Sequence, residues 1–229
     1  MIKTNILLAA ALGFAFATSA QAGLITSSDT NIQETTEIAQ TLTLNLFNGT
    51  LGTLSSVTLS VNAVSISSSI LTNNAAGSAN FSFDSILNFF ISSPLAGVSF
   101  ANPAFTTTLA STGGFVGLAS GASLNLGTTT DTGGASVTVT GAGLGVFLAS
   151  AGSTTFDLGC STISGTNFVG GGGNIGNLQN TTAACNADIS YNFIDNPPPP
   201  NNNVPEPAAL WLMGAGLLGF VASRRRKAS

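Results

Sequence analysis

Acid–base chemistry between the chain's two ends rests on eight carboxylates: Asp29, Glu34, Glu37, Asp84, Asp131, Asp157, Asp188 and Asp195. Two carboxylates suffice for a glycosidase, and oxygen-rich loops with one or two Asp suit calcium. No spacing brings a pair together, and no Asp-x-Asp-x-Asp-Gly loop is present. Sugar-stacking aromatics are equally scarce, since the single Trp, Trp211, lies in an apolar terminal segment and leaves only Tyr191. The acids therefore read as solvated groups that keep the chain anionic. No residue is assigned as catalytic, cofactor-binding or metal-ligating.

What is missing excludes more. The chain has no His, and its five basic residues are Lys3, Arg224, Arg225, Arg226 and Lys227. Residues 4–223 thus offer no imidazole base, no lysine for a Schiff base and no phosphate clamp. Kinases, Ser-His-Asp hydrolases and His-ligated zinc sites are excluded by inventory. Nucleic acid is excluded as a partner because its affinity depends on Lys and Arg contacts to phosphates. Gly141-Ala-Gly-Leu-Gly145 lacks the third glycine of a phosphate loop and is predicted to be a turn, with a further strand over the Val-Phe-Leu after it. Gly170 to Gly173 reads as a flexible loop. Three Asn-x-Ser/Thr sequons, at Asn48, Asn80 and Asn180, read as consequences of an Asn/Thr-rich composition.

The ends read as addresses. Lys3, the apolar run from Ile6 to Ala17, and Ala20-Gln21-Ala22 form a secretory signal peptide over 1–22, with cleavage between Ala22 and Gly23 by signal peptidase. Residues 204–227 carry Pro205-Glu206-Pro207, a charge-free stretch and Arg224-Arg225-Arg226-Lys227. A helix from Val204 to Ser223 would rise roughly 30 Å, the thickness of the hydrocarbon layer. A single transmembrane helix is predicted over about 207–223, with the basic tail 224–227 cytoplasmic and all before it outside. Between body and helix, 196–203 is a Pro/Asn linker, which in polyproline II would span roughly 25 Å.

The Pro-Glu-Pro tripeptide, short apolar helix and arginine cluster together resemble the PEP-CTERM sorting signal of exopolysaccharide-producing Gram-negative bacteria. The resemblance covers about 204–227. It implies recognition, and cleavage near the tripeptide, by exosortase, a membrane-embedded cysteine transpeptidase-like enzyme. Pro205, Glu206, Pro207, Arg224, Arg225 and Arg226 are then the sorting motif, the membrane anchor is transient, and the body ends at the cell surface or in the extracellular matrix.

The elements between, over 23–195, show the period-2 alternation of half-buried strands. Leu42/Leu44/Leu46, Val57/Leu59/Val61, Phe81/Phe83, Leu124/Leu126, Val137/Val139, Phe156/Leu158 and Ile189/Tyr191/Phe193 each alternate with polar residues. At Ala63-Val64 the apolar phase shifts to Val64 and Ile66, which predicts a β-bulge or a strand changing sheets. Asn48-Gly49 is a hairpin signal between the first two runs. Ser85 to Ile91 is apolar nearly throughout and fits a buried strand or a short helix. An all-β, antiparallel β-sandwich of jelly-roll or Ig-like type is expected, held by apolar packing with no ion pairs.

Cys160 and Cys185 are the only cysteines, and in an exported chain they are expected to form a disulfide around the Gly170–Gly173 loop. The segment from Phe47 to Val61, with its Leu51-Gly-Thr-Leu54 turn and strand, and the closing Asp188 to Phe193 strand, are similar to the choice-of-anchor E domain. That resemblance implies an exported β-rich body joined to one of several surface anchors, and it brings no catalytic residue. The function expected is a non-enzymatic surface or matrix protein associated with biofilm or exopolysaccharide, needing no cofactor. The alternative is a binding module for polysaccharide or calcium.

Overall fold

The computed structural model describes residues 22–196. The expected signal peptide up to Gln21, the expected linker beyond Asn196 and the sorting segment with its predicted helix lie outside the described residues. Ten strands follow in order: β1 Ala22–Thr30, β2 Glu34–Thr35, β3 Ala39–Asn45, β4 Gly52–Asn73, β5 Ala79–Ser92, β6 Phe105–Ser111, β7 Val116–Leu118, β8 Ser123–Thr140, β9 Thr155–Gly170 and β10 Ile175–Asp195. The only helical turns among them are 3-10 segments at Gly141–Phe147 and Gly171–Gly173. No helix among the described residues is long and apolar enough to cross a membrane.

Two antiparallel sheets result. The first runs β1-β10-β4-β8 and the second β3-β9-β5-β6, with β2 added to β10 and β7 to β5. With the two short strands set aside, the order is first-eighth-third-sixth facing second-seventh-fourth-fifth. This is the double Greek key of a jelly roll. Successive long strands therefore cross between sheets, except β5 and β6, which pair with each other. Asn48-Gly49 serves one such crossing and not a hairpin, because β3 pairs with β9 while β4 pairs with β10 and β8. A β-turn forms there (Leu51 N–H to Asn48 carbonyl, 3.1 Å), and the Asn48 side chain accepts the Thr50 N–H.

The alternating apolar residues face inward. Leu42 and Leu44 of β3, Val57, Leu59 and Val61 of β4, Leu87 and Phe89 of β5, Leu158 of β9 and Ile189 of β10 are buried in one cluster. Burial of each large side chain contributes roughly 1.5–3 kcal/mol. Ser85 to Ile91 resolves as strand, inside β5, with Ser85, Leu87 and Phe89 inward. Phe147 closes one end of the core from the 3-10 segment, where a strand over Val146-Phe147-Leu148 had been expected. A second, smaller cluster, Leu71, Phe81, Phe83 and Ala110, fills the other end.

Between the two clusters the structure corrects the expected phase shift. β4 keeps its phase through Ala63-Val64, paired residue for residue with β10, so Ser65, Ser67 and Ser69 face inward and Ile66 and Ile70 outward at 37 % exposure each. The bulge in this pairing falls instead opposite Asn192/Phe193, at the start of β4. A 22-residue strand hydrogen-bonded on both sides cannot slip by one residue without breaking both ladders or adding a bulge. Backbone continuity therefore outweighs the burial of two isoleucines.

Candidate functional site

Asp29 of β1 accepts the N–H of its neighbour Thr30 (2.8 Å) and, across the sandwich, that of Thr43 on β3 (2.6 Å). Asp131 of β8 does the same on the opposite side, accepting from Thr132 (2.9 Å) and from Thr108 on β6 (2.7 Å). All four strands are sheet edges. Each aspartate thus binds the outward N–H of the facing sheet's edge strand, closing one side of the sandwich without a cation. Glu37 accepts the Ser164 N–H at 3.0 Å and its hydroxyl at 3.1 Å, just where β9 runs past the end of β3. Asp84 accepts from the Ser111 hydroxyl and Asp157 from that of Thr43.

These contacts bear on the two chemistries weighed above. Asp29 and Asp157 meet on Thr43, one at its N–H and one at its hydroxyl, at an exposed sheet edge. No three of Asp, Glu, His or Cys gather as a metal-binding group among the described residues. Tyr191 is not available to stack a sugar. It is buried in the core against Phe47 and Phe147, and its hydroxyl donates to the Asn45 carbonyl at 2.6 Å. Burial pushes its phenol well above the usual tyrosine range.

A concave polar feature, a cleft between the sheets, lies next to the in-phase serines of β4. Ser65 donates to Thr107 of the facing sheet (2.8 Å), Ser67 shares a hydrogen bond with Thr181 (3.0 Å), and Ser69 donates to Asn177 (2.7 Å). Gln179 knits the latter two together, its amide donating to Ser67 and Thr181 while accepting from Asn177. Ser85 stands in the facing sheet, buried to 1 % exposure, with no partner for its hydroxyl. Past the Asp29 contact between β1 and β3, this side of the sandwich opens. β3 pairs with β9 only as far as Ser161, and β2 meets β10 only at Thr182 and Ala183. Beyond those points Ser164, Thr166, Gln179 and Asn180 flank a cavity of about 200 Å³, with Thr35 and Thr36 at its mouth and Ser85 and Thr181 lining it from within. Sequence reasoning missed this site. Its signal was a run of serines at every second position, in phase with Val57 to Ala63.

Of the residues singled out from sequence, Cys160 and Cys185 form a disulfide that ties β9 of one sheet to β10 of the other, at a sequence separation of 25. The enclosed loop turns at Gly170–Gly173, where all four glycines have positive φ. Ala22 and Gly23 begin β1, paired with Ile194 and Phe193 near the end of β10. Pro205, Glu206, Pro207, Arg224, Arg225 and Arg226 lie outside the described residues.

No curated protein matches the chain. Among solved structures it is similar, at 11 % identity over 82 % of this chain and 44 % of the other, to the chain of a T13 viral particle of infectious bursal disease virus, with a TM-score of 0.14. The Gt strain of that virus gives 12 % identity over 95 % and 52 %, with a TM-score of 0.13. The chain spans about half the length of these proteins, and scores this low carry no weight for fold or function. Residues 203–227 match the PEP-CTERM protein-sorting motif. The chain therefore ends in the signal by which exosortase sorts exported proteins of Gram-negative bacteria.

Proposed function

We propose that this is a non-enzymatic display protein. A jelly-roll body is exported, freed of residues 1–22 by signal peptidase, held briefly by its C-terminal helix and delivered by exosortase to the cell surface or extracellular matrix, in association with exopolysaccharide. The single observation that carries this reading is the sorting motif at 203–227. The body's inventory supports it, because residues 23–195 contain no Lys, Arg or His and five of their carboxylates are engaged as acceptors of backbone or hydroxyl protons. The likeness of Phe47–Val61 and Asp188–Phe193 to the choice-of-anchor E domain fits the same role, that of a body carried by an exchangeable anchor.

Deleting Pro205 to Lys227 tests the reading. The truncated protein should keep its melting temperature and its disulfide but leave the surface for the medium or periplasm. Unchanged surface retention would defeat the sorting claim. The second reading, a binding module, is favoured by the hydroxyl-lined cleft. Polysaccharide suits it better than calcium, because no carboxylate lines that cavity.

A further inference from the structure

We infer that the cleft between β9 and β10 binds a single neutral sugar ring, the end or one unit of a glycan. The inference deepens the binding-module reading and is independent of the sorting signal. An anion has nothing to meet, since residues 22–196 hold no cationic side chain. A metal ion would need several oxygen anions, yet the lining holds no carboxylate, and Glu37, bonded to the lining residue Ser164, already accepts two protons there through one oxygen. An apolar ligand would find hydroxyls and amides on every wall. What remains is a neutral ligand that both donates and accepts hydrogen bonds in several directions, which is what ring hydroxyls do.

The second observation is Ser85. In the inward row of β5, Phe81, Phe83, Leu87 and Phe89 are apolar, and Ser85 alone is not. A buried hydroxyl without a partner is destabilising, so a serine at this place is disadvantageous unless something in the cleft meets it. Across from it, Gln179 is held by Asn177, Ser67 and Thr181, so one wall of the cleft is preorganised. The cavity's 200 Å³ is below the roughly 300–1,000 Å³ that encloses a drug-sized ligand. It corresponds to about six or seven waters, which a single ring could displace while reproducing their hydrogen bonds.

A peptide adding as a strand to the same opening is the rival occupant. Glu37 disfavours it by covering the first free edge N–H of β9, at Ser164. The test is NMR on the exported, processed protein with methyl glycosides of glucose, galactose and mannose as probes, at up to about 100 mM. Expected are millimolar binding, shifts confined to Ser85, Thr166 and Gln179–Thr181, and about fivefold or more weaker binding in Ser85→Ala. Thr166→Val, at the exposed rim, serves as the variant least able to disturb folding and should weaken binding likewise. No shift with any probe overturns the inference while leaving surface sorting intact. Unaltered binding in both variants overturns the site. A response to an Ile175–Thr181 peptide, seen in the β9 edge amides with none to sugars, overturns it in favour of strand addition.

Discussion

Replacing Asp131 tests whether carboxylates close this sandwich where salt bridges cannot. Its two oxygens each accept one N–H, the local one of Thr132 and the cross-sheet one of Thr108. A hydrogen bond to a charged acceptor is worth about 1.5–3 kcal/mol, but both N–H groups here can turn to water, so about 1 kcal/mol is the expected cost of Asp131→Ala. For a domain of this size that lowers Tm by about 2–4 °C. Asp131→Asn keeps one acceptor oxygen and should lose about half as much. Asp29→Ala acts on the opposite side of the molecule, so the double variant should be additive at about 2 kcal/mol. Calorimetry reads the sum, and hydrogen exchange reads the cause, because the Thr108 amide should exchange faster in Asp131→Ala and stay protected in Asp29→Ala. If Asn proves as damaging as Ala, charge and not acceptor count is at work. If Thr108 exchange does not change, the clasp has no part in holding the edges together.

Other outcomes follow from the core. The disulfide joins the two sheets across 25 residues, which the chain-entropy relation converts to about 3.5 kcal/mol. Cys160→Ala with Cys185→Ala should therefore lower Tm by about 7–14 °C, and an unchanged Tm would mean that the unfolded chain gains little from losing the cross-link. Tyr191 is the single tyrosine, so its ionisation can be followed by absorbance without interference. Its folded pKa lies above the unfolded value, so its contribution to stability is complete below about pH 10 and is lost as pH rises beyond it. Tyrosinate absorbance should then appear together with loss of structure, whereas ionisation in the folded state would contradict the burial. Tyr191→Phe should remove this alkaline transition and cost about 1 kcal/mol at neutral pH, because the Asn45 carbonyl loses its donor.

How much of this was legible in the residues divides along one physical line. Where apolar side chains alternate, as at Leu42/Leu44, Val57/Leu59/Val61 and Phe81/Phe83, period-2 patterning located the strand and its buried face, because desolvation of those groups dominates locally. The disulfide was legible for a different reason, there being only one pair to make. Two features were not. The partner of β3 is set by the sheet order, which a local Asn-Gly signal cannot report. The inward face of β4 after Ala63 is set by hydrogen-bonded ladders to β10 and β8, so the side chains that look apolar there, Ile66 and Ile70, point outward.

The inward row of serines on β4 is what is unusual in the molecule. A jelly roll of this length could have carried one continuous apolar core, with valine or isoleucine at positions 65, 67 and 69. Instead the central strand turns three hydroxyls inward; Thr107 of β6 meets Ser65, and Thr181, Gln179 and Asn177 of β10 meet Ser67 and Ser69. Each matched pair is close to neutral for stability, so the seam adds little while it divides the apolar interior into two clusters. It lies beside the stretch where neither sheet has an outer strand. An open side and a polar floor in the same place form an accessible cleft, which a continuous apolar core would have sealed. Ser85, facing that floor with no partner of its own, is the residue whose hydroxyl a bound ring would satisfy, and its removal separates a recognition surface from a mere gap between sheets.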